Sequence, residues 1–438
     1  MSHGAQGESS GVFNRFIHSE VSGSIVLLFC TITALIWANS PWADLYTSLS
    51  QTRIGVSWGE SAFSMSLQHW INDGLMAVFF FVVGLEIKRE LVVGHLSSVK
   101  QAILPVSAAI GGMLVPAAFY LIFNAGGEGA RGWGVPMATD IAFALGILSL
   151  FGSRVPIGLK VFLTALAIAD DLGAVMVIAL FYTEQIFVWG LFAAAVFLFL
   201  LHCMVMLDID RPGIYWILII GAWASVFSSG IHATVAGILV ALLVPIRARI
   251  EPDEFIEIVD TRMTVLRNSS LTQESMLCNE EQMDTISDLC KAVEDIRPEG
   301  LHLEEFLHPV VAFFILPLFA LFNAGVELDG RILDTLSKPV SIGIIAGLFL
   351  GKQLGVWFFS WLAVRTGRVS LPEGVTWPQV YGVGCLAGVG FTMSLFISDL
   401  AFIQETNINE AKIGILVASL LSGVVGYIVL RKSLPPGE

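Results

Sequence analysis

About a dozen stretches of ~17 to 25 mostly apolar residues follow one another along this chain, each long enough to cross the hydrocarbon core of a bilayer as a helix. They lie near residues 20–39, 70–93, 101–124, 134–150, 157–182, 187–207, 213–229, 231–246, 309–325, 339–363, 379–399 and 411–430. The spacing predicts an all-α polytopic membrane protein with about twelve transmembrane helices. With 55 % hydrophobic and only 14 % charged residues, the composition excludes an ordinary soluble domain, where charged residues make up ~25 %. Glu8 and Glu20 flank Arg15, and no short apolar region with a small-residue cleavage site comes after them, so the first helix is expected to stay in place rather than act as a cleaved signal.

Basic residues near the helix ends set the expected orientation. If the N-terminus is inside, thirteen of them fall on the inner side: Arg15, Lys88, Arg89, Lys100, Arg154, Lys160, Arg211, Arg247, Arg249, Arg365, Arg368, Arg431 and Lys432. Only Arg53, Arg131, Arg331, Lys338 and Lys412 fall outside. Both termini are therefore expected in the cytoplasm. The chain divides into an N-terminal segment 1–19, helices 1–8 over 20–250, an insert 251–305, helices 9–12 over 306–432 and a tail 433–438.

The fifth apolar stretch carries Asp170 and Asp171 side by side with no other charge between Val161 and Phe181. A carboxylate at mid-membrane costs at least ~2.5 kcal/mol and is normally kept only where it faces a bundle interior or an aqueous cavity. Two adjacent ones resist ionising together, which makes the pair proton-sensitive. The plain alternative is a buried pair satisfied by protein donors.

Other polar groups share these apolar surroundings. Thr139 and Asp140 follow Gly134 and Pro136, residues that loosen a helix. A helix broken there leaves unpaired N–H groups at one half-end and unpaired carbonyls at the other, and Asp140 would neutralise the former; otherwise it is an ordinary N-cap. Lys352 sits among Gly343, Gly347, Gly351 and Gly355, whose spacing makes one smooth helix face for close packing. It is expected to point inward to Asp170 or Asp171, unless it snorkels to an interface. Gly382, Gly384, Gly388 and Gly390 with Thr392 and Ser394 suggest a second broken helix. Two interrupted segments, helix 4 in a 3-4-5 group and helix 11 in a 10-11-12 group, point to an inverted-repeat transporter. Near the cytoplasmic end of helix 2, Glu86, Lys88, Arg89 and Glu90 put four charges in five positions, either a functional cluster or a solvated helix end. Asp73 fits a cap or mouth residue. His232 titrates near neutrality if exposed, or is a helix-start histidine held by hydrogen bonds.

The net charge of −14 is concentrated in the insert, where fifteen acidic and four basic residues give −11. Nothing resembles a nucleic-acid footprint. Phe255, Ile258, Val259, Met263 and Leu266, then Met283, Ile286, Leu289, Cys290, Val293 and Ile296, recur at helical spacing and predict two amphipathic helices or a marginal helical hairpin, ended by Pro298 and Gly300, or else a tolerated loop insertion. Apolar and polar residues alternate over about 52–68 around Gly59-Glu60, which predicts an outer β-hairpin. A lone hairpin is marginal, so a partner edge is expected, as in a homodimer. Five scattered cysteines form no disulfide framework or structural metal pattern.

Together Ala138–Gly146, Ala167–Ala174, Val83–Leu91, Ser229–Thr234, Gly351–Gly355 and Gly390–Ser394 resemble, in order, the motifs of the NhaA sodium/proton antiporter family, a family with inverted repeats and discontinuous helices. The resemblance runs from about 14 to 432 apart from the insert. It implies that Asp171 is the main sodium ligand and Asp170 its titrating neighbour, paired with Lys352 when no ion is bound. Thr139 and Asp140 would lie where the two broken helices cross, Asp140 balancing their positive ends and Lys352 the negative ones. Glu86, Arg89, Glu90, Glu304 and His308 would line a cytoplasmic funnel linked to pH response, to which His232 is added as a candidate. The chain departs from the family where Leu301-His302-Leu303 replaces a basic pair and Glu305 replaces a histidine, which puts its pH set-point in question. The implied function is electrogenic, pH-regulated export of sodium, and lithium, against protons in a bacterial inner membrane. No cofactor is expected, and lipid is the expected surrounding partner. Two rivals are a cation-coupled organic-anion symporter, which lacks an intramembrane arginine clamp here, and an intramembrane aspartyl protease, whose two aspartates would have to flank a peptide from separate helices.

Overall fold

The computed structural model describes residues 20–58, 61–183, 186–207, 209, 211–269, 280–327, 332–367 and 369–435. The N-terminal segment 1–19, the turn residues Gly59 and Glu60, residues 270–279 of the insert with Cys278, and the last three residues of the tail lie outside the described residues. Among those described, nine helices are long and apolar enough to span a membrane. A tenth span is a pair of helices bent by 44°, and two shorter apolar helices complete the set.

In chain order the helices are α1 (Glu20–Ala38), α2 (Ala43–Gln51), α3 (Leu67–Val92), α4 (Val99–Asn124), α5 (Ile141–Ser149), α6 (Ile157–Phe181), α7 (Val188–Met206), α8 (Pro212–Ser228), α9 (Thr234–Leu243), α10 (Pro252–Asn268), α11 (Glu280–Ile296), α12 (Glu299–Asn323), α13 (Ile332–Leu336), α14 (Pro339–Arg365), α15 (Trp377–Ala387), α16 (Phe391–Ala401) and α17 (Glu405–Ser433). The strands β1 (Arg53–Trp58) and β2 (Ser61–Ser66) form an antiparallel hairpin between α2 and α3, with Arg53 opposite Ser66 and Trp58 opposite Ser61. It is the only sheet among the described residues.

Both expected interruptions are present. The segment before α5 is a 3-10 helix over Glu128–Met137, and its chain is extended at Ala138 and Asp140 before α5 begins. In the second, α15 stops at Ala387 and α16 starts at Phe391. Proline in the first and glycines in the second remove the steric and hydrogen-bonding continuity of a helix.

The glycine face of α14 packs on α4. A side chain at Gly351 would run into Pro116 and one at Gly355 into the carbonyl of Gly111, while one at Gly347 would meet first Pro136 and then the Pro116 carbonyl. Such backbone-to-backbone approach lets dispersion hold two helices together in lipid, where hydrophobic exclusion contributes little. By contrast α7 and α8 turn Trp189, Phe192, Phe199, Trp216 and Ile217 outward, as expected of a pair at the lipid boundary. Three spans contain a π-helical stretch: Trp70–Leu75 in α3, Val311–Ile315 in α12 and Ala346–Gly351 in α14.

In the acidic insert the two expected helices are α10 and α11, which pack on each other and are joined by Arg262–Asp288 at 2.8 Å. Pro298 caps the next helix, but Gly300 does not end anything: it lies in the first turn of α12, its N–H bonded to Pro245 O at 2.9 Å.

Candidate functional site

The two breaks cross inside the bundle. Asp140 N–H donates to Val389 O at 2.6 Å, and Ser394 Oγ donates to Val135 O at 2.8 Å. The close approach depends on Gly390, where a Cβ would meet the Ser394 hydroxyl, Leu348 and the Ala138 carbonyl.

Asp140 serves both half-helices. One carboxylate oxygen accepts Phe143 N–H at 3.1 Å and so caps α5; the other accepts Thr392 N–H at 3.0 Å and its hydroxyl at 2.5 Å in the first turn of α16. Four unpaired N–H groups at each helix start favour negative charge, so one buried aspartate balances two positive ends. Asp140 is thus the N-cap of α5, and its other oxygen is bonded at the start of α16.

Asp170 and Asp171 project from the middle of α6 and are almost completely buried. Lys352, entirely buried, reaches Asp170 Oδ2 with its ammonium at 2.5 Å. The Thr139 hydroxyl lies 2.8 Å from that oxygen and 2.9 Å from Ala387 O, the last carbonyl of α15. Lys352 directly follows the π stretch of α14, and its side chain runs beside Gly112 of α4. A π turn inserts one residue and rotates the remainder of the helix, a device that recurs at functional sites.

Asp171 is different. Both its oxygens are buried without a hydrogen-bond partner, as is Asp170 Oδ1. Glu86, Asp140, Asp170 and Lys352 all lie within its electrostatic range. Three orphaned carboxylate oxygens in one place are a hard-donor set for which a cation is the natural complement, because buried acceptors are otherwise satisfied in native proteins.

Of the residues expected in the funnel, Arg89 pairs with Glu304 at 2.9 Å and lies 4.0 Å from Glu90. Glu86 lies within electrostatic reach of Glu304, Arg89 and Glu90. His308 is one turn beyond Glu304 on α12. The unusual Glu305 pairs with Arg297 at the end of the insert. His232 is elsewhere: it contacts Tyr182 O at 3.2 Å and faces Asp73, at the opposite end of α3 from Glu86 and about 20 Å away by helical rise. The structure thus brings Glu86, Arg89, Glu90 and Glu304 together and separates His232 from them.

The charged residues of the centre stand out in the sequence; several neutral or helix-end partners do not. Asn72, Asn323, Gln68 and Asp399 form a further polar cluster near the end of the bundle where α3 starts and α12 stops. The amides carry no charge to mark them, and Asp399 is placed like any helix-end residue.

A helical membrane bundle with two crossing interrupted helices, and a buried acid–lysine centre where they meet, belongs to the discontinuous-helix class of membrane transporters. Residues 14–430 match the family described as Na+/H+ antiporter 1, and the chain belongs to that family. It is similar to Na(+)/H(+) antiporter NhaA of Oleidesulfovibrio alaskensis, 47 % identical over 96 % of this chain and 93 % of the relative. It is likewise similar to the NhaA antiporters of Sulfurimonas denitrificans (45 %, covering 96 % and 95 %) and Bordetella parapertussis (46 %, covering 98 % of each).

Proposed function

We propose that this protein exchanges sodium for protons across a bacterial inner membrane, with both termini in the cytoplasm, by competition at the Asp170–Asp171 pair. The observation that carries the reading is the state of Asp171: two carboxylate oxygens, fully buried and unpartnered, beside a second carboxylate already held by Lys352. Sodium and lithium are hard cations that take oxygen ligands. A proton on the same oxygens removes the charge that attracts the ion. Only one of the two is therefore carried at a time, and alternating exposure of the site to the two sides makes the exchange obligatory. Asp170, when it is needed as an ion ligand or proton acceptor, must first part from Lys352. Two carboxylates and a lysine can change protonation while one monovalent ion binds, so more protons than sodium ions cross per cycle and the membrane potential drives sodium out. Glu86, Arg89, Glu90 and Glu304 stand on the cytoplasmic approach, where their mutual charges tune the pH response.

The test is sodium-dependent proton movement by the purified full chain in liposomes. Lowering the pH on the sodium-binding side protonates the pair and should raise the sodium concentration needed for half-maximal exchange without lowering the maximal rate at saturating sodium. Asp171→Asn should abolish exchange and ion binding in a folded protein. Substantial sodium exchange by that variant would overturn the assignment.

A further inference from the structure

We propose that Asp399 is the group through which protons enter from the outer side on their way to the Asp170–Asp171 pair. The inference rests on the exchange reading above. It starts from the order of residues along one face of α16: Thr392, bonded to Asp140, then Phe396, then Asp399. Phe396 is fully buried between two other fully buried rings, Phe80 of α3 at 5.5 Å and Phe319 of α12 at 6.2 Å. The same three helices carry polar groups further out: Asp399 three residues beyond Phe396, Asn323 four beyond Phe319, and Asn72 eight before Phe80. An aromatic layer therefore separates the ion centre from a polar layer.

That polar layer is tied across the helices. Asn72 and Asn323 bond reciprocally, each side-chain N–H donating to the other's carbonyl oxygen at 3.1 and 2.8 Å. Gln68 adds a second donor to the Asn323 oxygen at 3.0 Å, and Asn72 donates to Asp399 Oδ2 at 3.3 Å. The Asn72 and Asn323 oxygens thus each already accept a hydrogen bond, which makes them poor ligands for sodium. The charged or titratable groups facing Asp399 are Lys412 of α17, His69 at the start of α3 and Tyr46 of α2. Lys412 is buried in the bundle, and its positive charge disfavours a resident cation. A proton meets neither obstacle, since it needs one carboxylate oxygen. Burial pushes the Tyr46 hydroxyl up to about 12 and its O–H is committed to Leu321 O at 2.8 Å, so tyrosine stays a neutral donor. Asp399 is therefore a carboxylate that takes a proton from outside water and releases it inward when the aromatic layer opens.

The experiment uses the full chain in liposomes, oriented, with outer and inner pH set independently and sodium efflux followed. Asp399→Asn keeps the shape and the Asn72 contact and removes the proton acceptor. It should slow exchange at least about tenfold at alkaline outer pH, a conservative figure beside the ~10²–10⁴ typical of positioned acid–base groups. The rate should recover at acidic outer pH, where protons are plentiful, and inner-side sodium affinity should not change. Asp399→Glu should restore most of the rate. If Asp399→Asn does not fold, Asp399→Ser serves in its place. Exchange with an unaltered outer-pH profile, or a loss independent of outer pH, would overturn the proposal. Absence of sodium–proton exchange in the unaltered protein would instead overturn the reading on which it rests.

Discussion

At the scale of single residues, the Lys352–Asp170 pair has the most at stake. Neither side chain has any exposure, and removing one partner of a buried pair leaves an uncompensated charge, at a cost of about 3–5 kcal/mol. Lys352→Ala should lower the unfolding temperature in detergent. The Asp170→Asn, Lys352→Gln double variant should recover much of that loss, because both charges go together. Strictly additive effects in the cycle would show the two to be uncoupled. Lysine and aspartate within apolar runs announce themselves, which is why the residue pattern narrows the partner of Lys352 to Asp170 or Asp171; the choice of Asp170 comes from the family resemblance, and the structure places the ammonium there. Asn72 and Asn323 are not legible. A neutral amide in an apolar segment raises no alarm, and its importance comes from a neighbour 251 residues away.

Among elements, the contact of α14 with α4 shows the reach of pattern reasoning. Glycine at every fourth position foretells a close helix–helix approach, but periodicity does not name the partner. The structure supplies it: Gly355 and Gly111 each lie against the other's carbonyl. Gly355→Ala should therefore force the helices apart and destabilise the protein by about 1–3 kcal/mol, the usual range for overpacking. Gly213→Ala, at a position with nothing within 4 Å, should leave the unfolding temperature nearly unchanged. Equal effects of the two substitutions would refute the packing argument. The breaks in the two crossing helices are legible through Gly134, Pro136, Gly388 and Gly390, since these residues act locally. The π stretches are not, because each depends on packing that the local sequence does not encode.

On the scale of the whole molecule, the bundle is legible from hydropathy alone and the acidic insert from charge. The connection between them is visible only in the structure. At the base of the insert Arg249 pairs with Asp295 and Glu299, and Arg297 pairs with Glu305. The adjacent residue in the chain, Glu304, holds Arg89 of α3. The insert thus touches, through the first turns of α12, the Glu86–Arg89–Glu90–Glu304 cluster proposed above as the cytoplasmic approach to the ion centre. Its −11 charge raises local cation and proton concentrations within a Debye length, about 8 Å at physiological salt. Replacing residues 255–298 by a short Gly/Ser linker should leave exchange in place. It should shift the pH of half-activation or the apparent sodium affinity, by an amount that shrinks as salt is raised. Complete loss of exchange in a well-folded deletion would make the insert part of the transport machinery, and an unchanged profile at every salt concentration would reduce it to a passive loop.

Thr139 stands where these scales meet. Its hydroxyl has one proton and two acceptors within reach, the Asp170 carboxylate and the final carbonyl of α15, and it can serve only one of them at a time. It therefore stores a single bit. While Asp170 is charged and held by Lys352 the proton is drawn to the carboxylate, and once Asp170 is neutralised it is free for the helix end. The chemical state of one side chain is in this way written into the bonding of a half-helix, and the record is made of a group that never ionises.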